Sequence, residues 1–213
     1  MLPKQENFQL ARQMAVEWLG RSNLEERAAK SGGRHELSSG GAARIRLAYL
    51  GNEFVVSFPP GSIEAGIGQE RLSLREEILF LHYLAQATGT FPSGRWISFL
   101  EIPGGAFYHP VFLQRCQAPL VRTFGPDPEA LRTAVGPMRG EPLGMGDVGV
   151  KIRAFPFIPL ALILWRGDAE FQAGGSLIFD DSIAEHLPAE DIVILAETVV
   201  WKLIKAKSTE QRA

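Results

Sequence analysis

Four carboxylates near the carboxyl end of the chain, Asp168, Glu170, Asp180 and Asp181, have the type and spacing to do chemistry. They come from two turns, RGDAEF and FDDS, that flank the short apolar segment SLIF. Carboxylates brought together hold a hard cation such as magnesium or calcium, or act as acid and base. The competing reading is turn chemistry, because Asp side chains bond nearby backbone amides. Trp165 and Arg166 stand directly before the first pair, at the exit of the apolar run LALILW. A second group lies in WISFLEIPGGAFYHP, where Trp96, Tyr108 and His109 surround a glycine turn. Aromatic walls with a few converging polar groups are typical of a small-molecule pocket. The expected pocket therefore joins Trp96, Tyr108 and His109 to Trp165, Arg166, Asp168, Glu170 and Asp180. A metal site, if these acids make one, uses Asp168, Glu170, Asp180 and Asp181.

Other chemistries find little support. The four histidines, His35, His82, His109 and His186, include no pair at helical spacing and no H-E-x-x-H. His82 falls within a helical pattern and reads as a satisfied or exposed histidine. The single cysteine, Cys116, rules out an internal disulfide or a multi-cysteine metal site within the chain, and it reads as a buried, inert thiol. GMGDVG, Gly144–Gly149, spells the dinucleotide motif, but a strand pattern follows it where a helix is required. There is no G-x-S-x-G elbow. Arg44, Arg46, Lys151 and Arg153 lie on the polar sides of two strand patterns; they form a solvated face, or a basic stripe for an anion if those strands are neighbours.

The elements that must position these residues follow from periodicity. Phe8, Ala11, Met14, Ala15, Trp18 and Leu19 mark a helix over roughly residues 5–19. A short helix follows, with Ser22 and Glu25 as a capping box. ARIRLAYLGNEFVVSF is a hairpin with Gly51-Asn52 as its loop. PPGSIEAGIGQE reads as loop throughout. Ser73 and Glu76 box the next helix, which carries Leu74, Ile78, Leu81 and Ala85 and ends by Gly89. A broken helix is expected from about 110 to 124, kinked at Pro119, and another starts at Asp127-Pro128 and stops at Gly136-Pro137. VGVKIRAF alternates as a half-buried strand. LALILW does not alternate, so it belongs in the middle of a sheet. Pro188 opens a terminal helix whose stripe is Ile192, Leu195, Ala196, Val199, Val200, Leu203 and Ile204, with Lys202, Lys205 and Lys207 toward its carboxyl end.

These patterns predict an α+β fold: one domain over 1–213, a mostly antiparallel sheet with flanking helices. Residues 1–33 supply amino-terminal helices, 34–213 the sheet and packed helices, and 207–213 a frayed tail. The totals agree: 46% hydrophobic residues and 22% charged are ordinary for a globular chain of 213 residues. A net charge of −2 gives no electrostatic reason to expect nucleic acid. No apolar run reaches the roughly 18 residues of a membrane helix, and MLPKQENFQL has no signal core, so a cytoplasmic protein is expected.

LSLREEILFLHYLAQATG, WISFLEIPGGAFYHPVF, IPLALILWRGDAEF and SLIFDDSIAEHLPAEDIVIL, taken together and in this order, resemble an uncharacterised prokaryotic family, domain of unknown function 3786. The family's W-x-G-D-x-E-F and L-F-D patterns match at Trp165, Gly167, Asp168, Glu170, Phe171, Phe179 and Asp180. The resemblance implies no active-site assignment. Some members carry an added iron–sulfur cluster segment, which implies work near anaerobic cofactor metabolism. This chain has one cysteine and no such segment, so no iron–sulfur cluster carries over. The preferred expectation is a non-catalytic domain that binds a small molecule, a cofactor or a protein partner. The alternative is a metal-assisted hydrolase or transferase using the clustered carboxylates. The terminal helix could also serve as a homodimer surface.

Overall fold

The computed structural model describes residues 5–38 and 40–210. The chain opens with α1 (Gln5–Gly20) and α2 (Leu24–Ser31). A meander follows: β1 (Arg34–Leu37), β2 (Ala43–Tyr49), β3 (Asn52–Phe58) and β4 (Ser62–Ala65), antiparallel in that order. Then come α3 (Leu74–Gln86), β5 (Trp96–Ser98), α4 (Gly105–Phe112), α5 (Ala118–Phe124) and α6 (Ala130–Ala134). Strands β6 (Glu141–Leu143), β7 (Val148–Phe155), β8 (Ile158–Trp165) and β9 (Gly174–Asp180) precede the terminal helix α7 (Ala189–Glu210). The second sheet is antiparallel in the order β5-β9-β8-β7-β6. The fold is α+β, with two antiparallel sheets where one was expected.

The inner strand is the one its composition indicated. Every residue of β8 from Ile158 to Leu164 is buried, and Trp165 emerges at the end. Leu160, Leu162 and Leu164 join the main core with Val148, Val150 and Ile152 of β7 and Leu177 and Phe179 of β9. On the other face, the loop carrying Gly146 runs against Ile163. The stripe of α7 is consumed internally: Ile192, Leu195, Ala196, Val199, Val200 and Leu203 belong to the same core. Cys116 is also buried there, and burial pushes its thiol up to about 12, as an inert thiol requires.

Several local expectations are corrected. Asn23, not Ser22, caps α2: its side chain accepts from the Glu26 N–H at 3.1 Å, while Ser22 Oγ donates back to the Trp18 carbonyl at the end of α1. Both residue types cap well, so position relative to the preceding helix decides. The hairpin loop is Leu50-Gly51, one residue earlier than expected, because Tyr49 pairs with Asn52. Leu50 adopts φ 46°, and its burial and the 2.9 Å bond from its N–H to Ala154 O offset that cost. Ser62–Ala65 forms an edge strand where only loop was expected; Ile63 pairs with Val56. The broken helix starts at Gly105, five residues early, so Pro110 lies inside α4. The disturbance expected at Pro119 is a π-helical segment, Leu113–Gln117, just ahead of it. On α1, Ala15 and Leu19 are buried but Met14 and Trp18 are 62% and 51% exposed, because the helix rests chiefly on α3.

The basic residues on strands are not one stripe, since β2 and β7 belong to different sheets. Each meets an acid or carbonyl nearby: Arg46 bridges Glu36 and Glu53, Arg44 faces Glu64, Lys151 faces Glu141, and Arg153 donates to Pro156 O. Such exposed cross-strand pairs contribute little stability each.

Two histidines make tertiary contacts with opposite pH dependence. His82 Nδ1 lies 2.9 Å from Asp191 Oδ2, joining α3 to the start of α7, and this hydrogen bond raises the His82 pKa above 6.5. His186 is buried with Nε2 bonded to Thr90 O at 3.0 Å, and desolvation lowers its pKa below 6.5. The His82 contribution is present below pH ~6.5 and is lost as pH rises through the folded pKa. The His186 contribution is present above ~6.5 and is lost as pH falls. In urea midpoints measured from pH 5 to 8, His82→Gln should remove a decline on the alkaline side, and His186→Gln a decline on the acid side.

Candidate functional site

The structure does not bring the two sequence-derived groups together. In the β8–β9 hairpin Trp165 pairs with Gly174, and Leu160 pairs with Phe179. Asp168 and Glu170 therefore sit at the turn, and Asp180 sits at the far end, beside Trp96 of β5. At ~3.4 Å per residue the two groups of acids stand roughly 20 Å apart. The separation follows from the hairpin itself: a strand that returns carries its end back to its neighbour's start.

Each group has structural work. Asp168 Oδ1 accepts from the N–H groups of Phe171 and Glu170 at 2.7 and 2.8 Å, and these bonds hold its carboxyl below the usual carboxylate range. Arg166 pairs with Glu129 at 2.7 Å, and its N–H meets Asp147. Trp165 and Glu170 are exposed. Asp180, 1% exposed, accepts from the N–H groups of Ser93, Gly94 and Ser182 and from the Ser182 hydroxyl, at 2.6–3.1 Å. Burial opposes its ionisation, yet those bonds prevail and its pKa is lowered. Asp181 accepts from Ser93 Oγ and Arg95 Nε. Tyr108 lies 3.4 Å from Glu190, whose charge raises the phenol pKa, and His109 is next to it on α4. Among the described residues, no group of three or more His, Cys, Asp or Glu is arranged to hold a metal ion.

A different concavity is better formed. A cleft of about 460 Å³ opens between the β2–β3 turn, the Gly68–Leu72 segment, the residues after α6 and the end of α7. Leu50, Phe54, Leu72, Met138 and Ala206 give it apolar walls; Lys202, Lys205 and Glu70 stand in its lining. It continues into a polar recess of about 280 Å³ lined by Ser73, Arg75, Glu76, Glu197 and Thr198, sharing Glu70, Lys202 and Lys205.

The Leu50-Gly51 hairpin loop builds one wall, because it turns Tyr49 inward and buries Leu50 beside it. Tyr49 is 1% exposed, and its hydroxyl makes no well-aligned hydrogen bond among the described residues, the Thr198 hydroxyl being its nearest candidate partner. Its polar neighbours are Glu76 and Thr198, and the Thr198 hydroxyl donates to Ile194 O. Burial first, then the charge of Glu76, push the Tyr49 phenol well above its ordinary pKa, so it stays a proton donor. Glu76 Oε2 closes the capping box with Ser73 at 2.7 and 3.0 Å. Its Oε1 lies 3.0 Å from Lys202 Nζ, close enough for an ion pair but poorly aligned for a hydrogen bond. Arg75 donates to Glu197 at 2.8 Å, while its buried Nε finds no acceptor among the described residues. Lys205 pairs with Glu70, which lowers the Glu70 pKa.

Sequence reading placed Tyr49 in a hairpin strand, Glu76 in a capping box and Lys202 at the carboxyl end of a helix, and so missed the cleft. A signal was present. Glu76 stands three and four residues before Leu79 and Phe80, and Lys202 three after Val199, so both charges interrupt apolar stripes.

Helices packed with two antiparallel sheets define a single α+β domain. Residues 23–202 match the profile of a domain of unknown function (DUF3786), and the chain belongs to that family. The match spans both sheets and most of the cleft, and leaves α1 outside it. No curated protein matches the chain, and no solved structure does. No helix of the described residues is long and apolar enough to cross a membrane.

Proposed function

We propose that this domain is a non-catalytic binding protein and that its ligand is a small molecule held in the Tyr49–Lys202 cleft. The observation that carries this reading is the buried Tyr49 hydroxyl, left without a well-aligned partner in the wall of an apolar cleft of about 460 Å³. Small-molecule sites are apolar concavities of ~300–1,000 Å³ with a few placed polar groups. A buried hydroxyl without a partner costs ~1–3 kcal/mol, a cost a bound acceptor would remove.

This makes Tyr49→Phe diagnostic. In the ligand-free protein it is expected to raise stability by about 1 kcal/mol, because an apolar isostere removes the unmet polar group. In a thermal-shift screen of small organic metabolites, a ligand at 100 times its Kd adds ~2.7 kcal/mol to the wild type. Tyr49→Phe should reduce that gain, and Leu72→Trp, which fills the cleft, should abolish it. A Tyr49→Phe protein that is less stable, together with hits that bind Leu72→Trp unchanged, would refute the assignment.

A further inference from the structure

Among the fully buried polar atoms of the cleft, unmet donors outnumber unmet acceptors, and that surplus points to the ligand. We infer that the cleft takes a small amphipathic oxyanion, an apolar body carrying a carboxylate or phosphate, with its charged group between Lys202 and the Tyr49 hydroxyl. The inference rests on the cleft being the binding site. Two buried donors lining the cleft and its recess lack aligned acceptors among the described residues, and a partly exposed ammonium stands beside them. The buried donors are the Tyr49 hydroxyl and Arg75 Nε; the Lys202 ammonium has, among the described residues, its misaligned contact with Glu76. The one fully buried acceptor there without an aligned donor, Glu76 Oε1, already faces Lys202. Lys205 stands one helical turn nearer the opening, and its partner Glu70 is solvent-exposed, so that pair can exchange with an incoming anion. An alkylammonium would leave the surplus donors unmet, and a neutral oxygen would meet them without charge assistance. An oxyanion meets them with charge-assisted hydrogen bonds, while Leu50, Phe54, Leu72 and Met138 cover its apolar body.

The test uses four probes that share a chain or a head group: octanoate, octyl phosphate, octan-1-ol and octylammonium, with inorganic phosphate as a head group alone. Titration calorimetry should show either or both octyl anions binding at least about tenfold more tightly than the alcohol, since each charged hydrogen bond is worth ~1.5–3 kcal/mol. The preferred anion tells carboxylate from phosphate, and weak binding of inorganic phosphate shows that the apolar wall contributes. Lys205→Met should weaken the anion several-fold. Lys202→Met would strip buried Glu76 of its counter-charge, so it is paired with Glu76→Gln, which keeps the capping box. That double variant should lose about tenfold or more for the anion and little for the alcohol. If octan-1-ol and octylammonium bind as well as the anions, and Leu72→Trp blocks them all, the oxyanion inference falls while the cleft stands. If no octyl probe binds at millimolar concentration, both fall.

Discussion

Replacing Asp180 with alanine is expected to cost the fold about 4 kcal/mol, from buried donors left without an acceptor at ~1–3 kcal/mol each. The carboxylate is the common acceptor for three backbone N–H groups, from Ser93, Gly94 and Ser182, and for the Ser182 hydroxyl. Through them it fixes the turn leading into β5 against the end of β9. Asn, which keeps one acceptor oxygen, should lose about half as much. Urea denaturation should show a lower midpoint with an unchanged slope. Acid should mimic the substitution. The carboxyl pKa is depressed in the fold, so its contribution is present above the unfolded carboxylate pKa near 3.9 and is lost as pH falls through the folded value. Ligand binding in the Tyr49–Lys202 cleft should be unchanged in Asp180→Asn under conditions where that variant is folded.

The second large effect falls on the glycine pair at the start of α4. Gly104 sits at φ 78°, a left-handed turn. Gly105 is different: a β-carbon there would run into the backbone carbonyl oxygen of Phe99. That carbonyl belongs to the turn whose Phe99 ring stacks on Phe112 at 4.3 Å between centroids, so neither side can retreat without unstacking the core. Gly105→Ala is expected to cost about 3 kcal/mol, at the upper end for overpacking. Gly136→Ala, with open space around its β-carbon position, should cost almost nothing. Thermal unfolding of the pair checks this. Equal melting temperatures would mean that the Phe99 turn yields.

The inner position of β8 was legible because a run of apolar residues without alternation has few other homes. The β2–β3 hairpin was legible through its alternation, and Ser73 and Glu76 through their spacing. The expected pocket was not realised because it assumed that acids close in sequence converge. Antiparallel pairing carries Asp168 and Asp180 to opposite ends of one hairpin. The turn reading of Asp168 and Asp180, weighed beside the metal reading, describes their hydrogen bonds. The cleft escaped notice because its lining comes from separate segments, and each residue has a sufficient local reason to be where it is. Only the charges set within apolar stripes, Glu76 and Lys202, pointed to a polar contact between α3 and α7.

The central claim is that the cleft beside Tyr49, not the acidic turns, receives the ligand. Backbone amide spectra of the isotope-labelled protein during octanoate titration test it most directly. The claim predicts shifts at Leu50, Asn52, Leu72, Met138 and Lys202, with the amides of Trp165, Asp168 and Glu170 unmoved. Shifts confined to Trp165–Phe171 or to Trp96, Asp180 and Asp181 would contradict it.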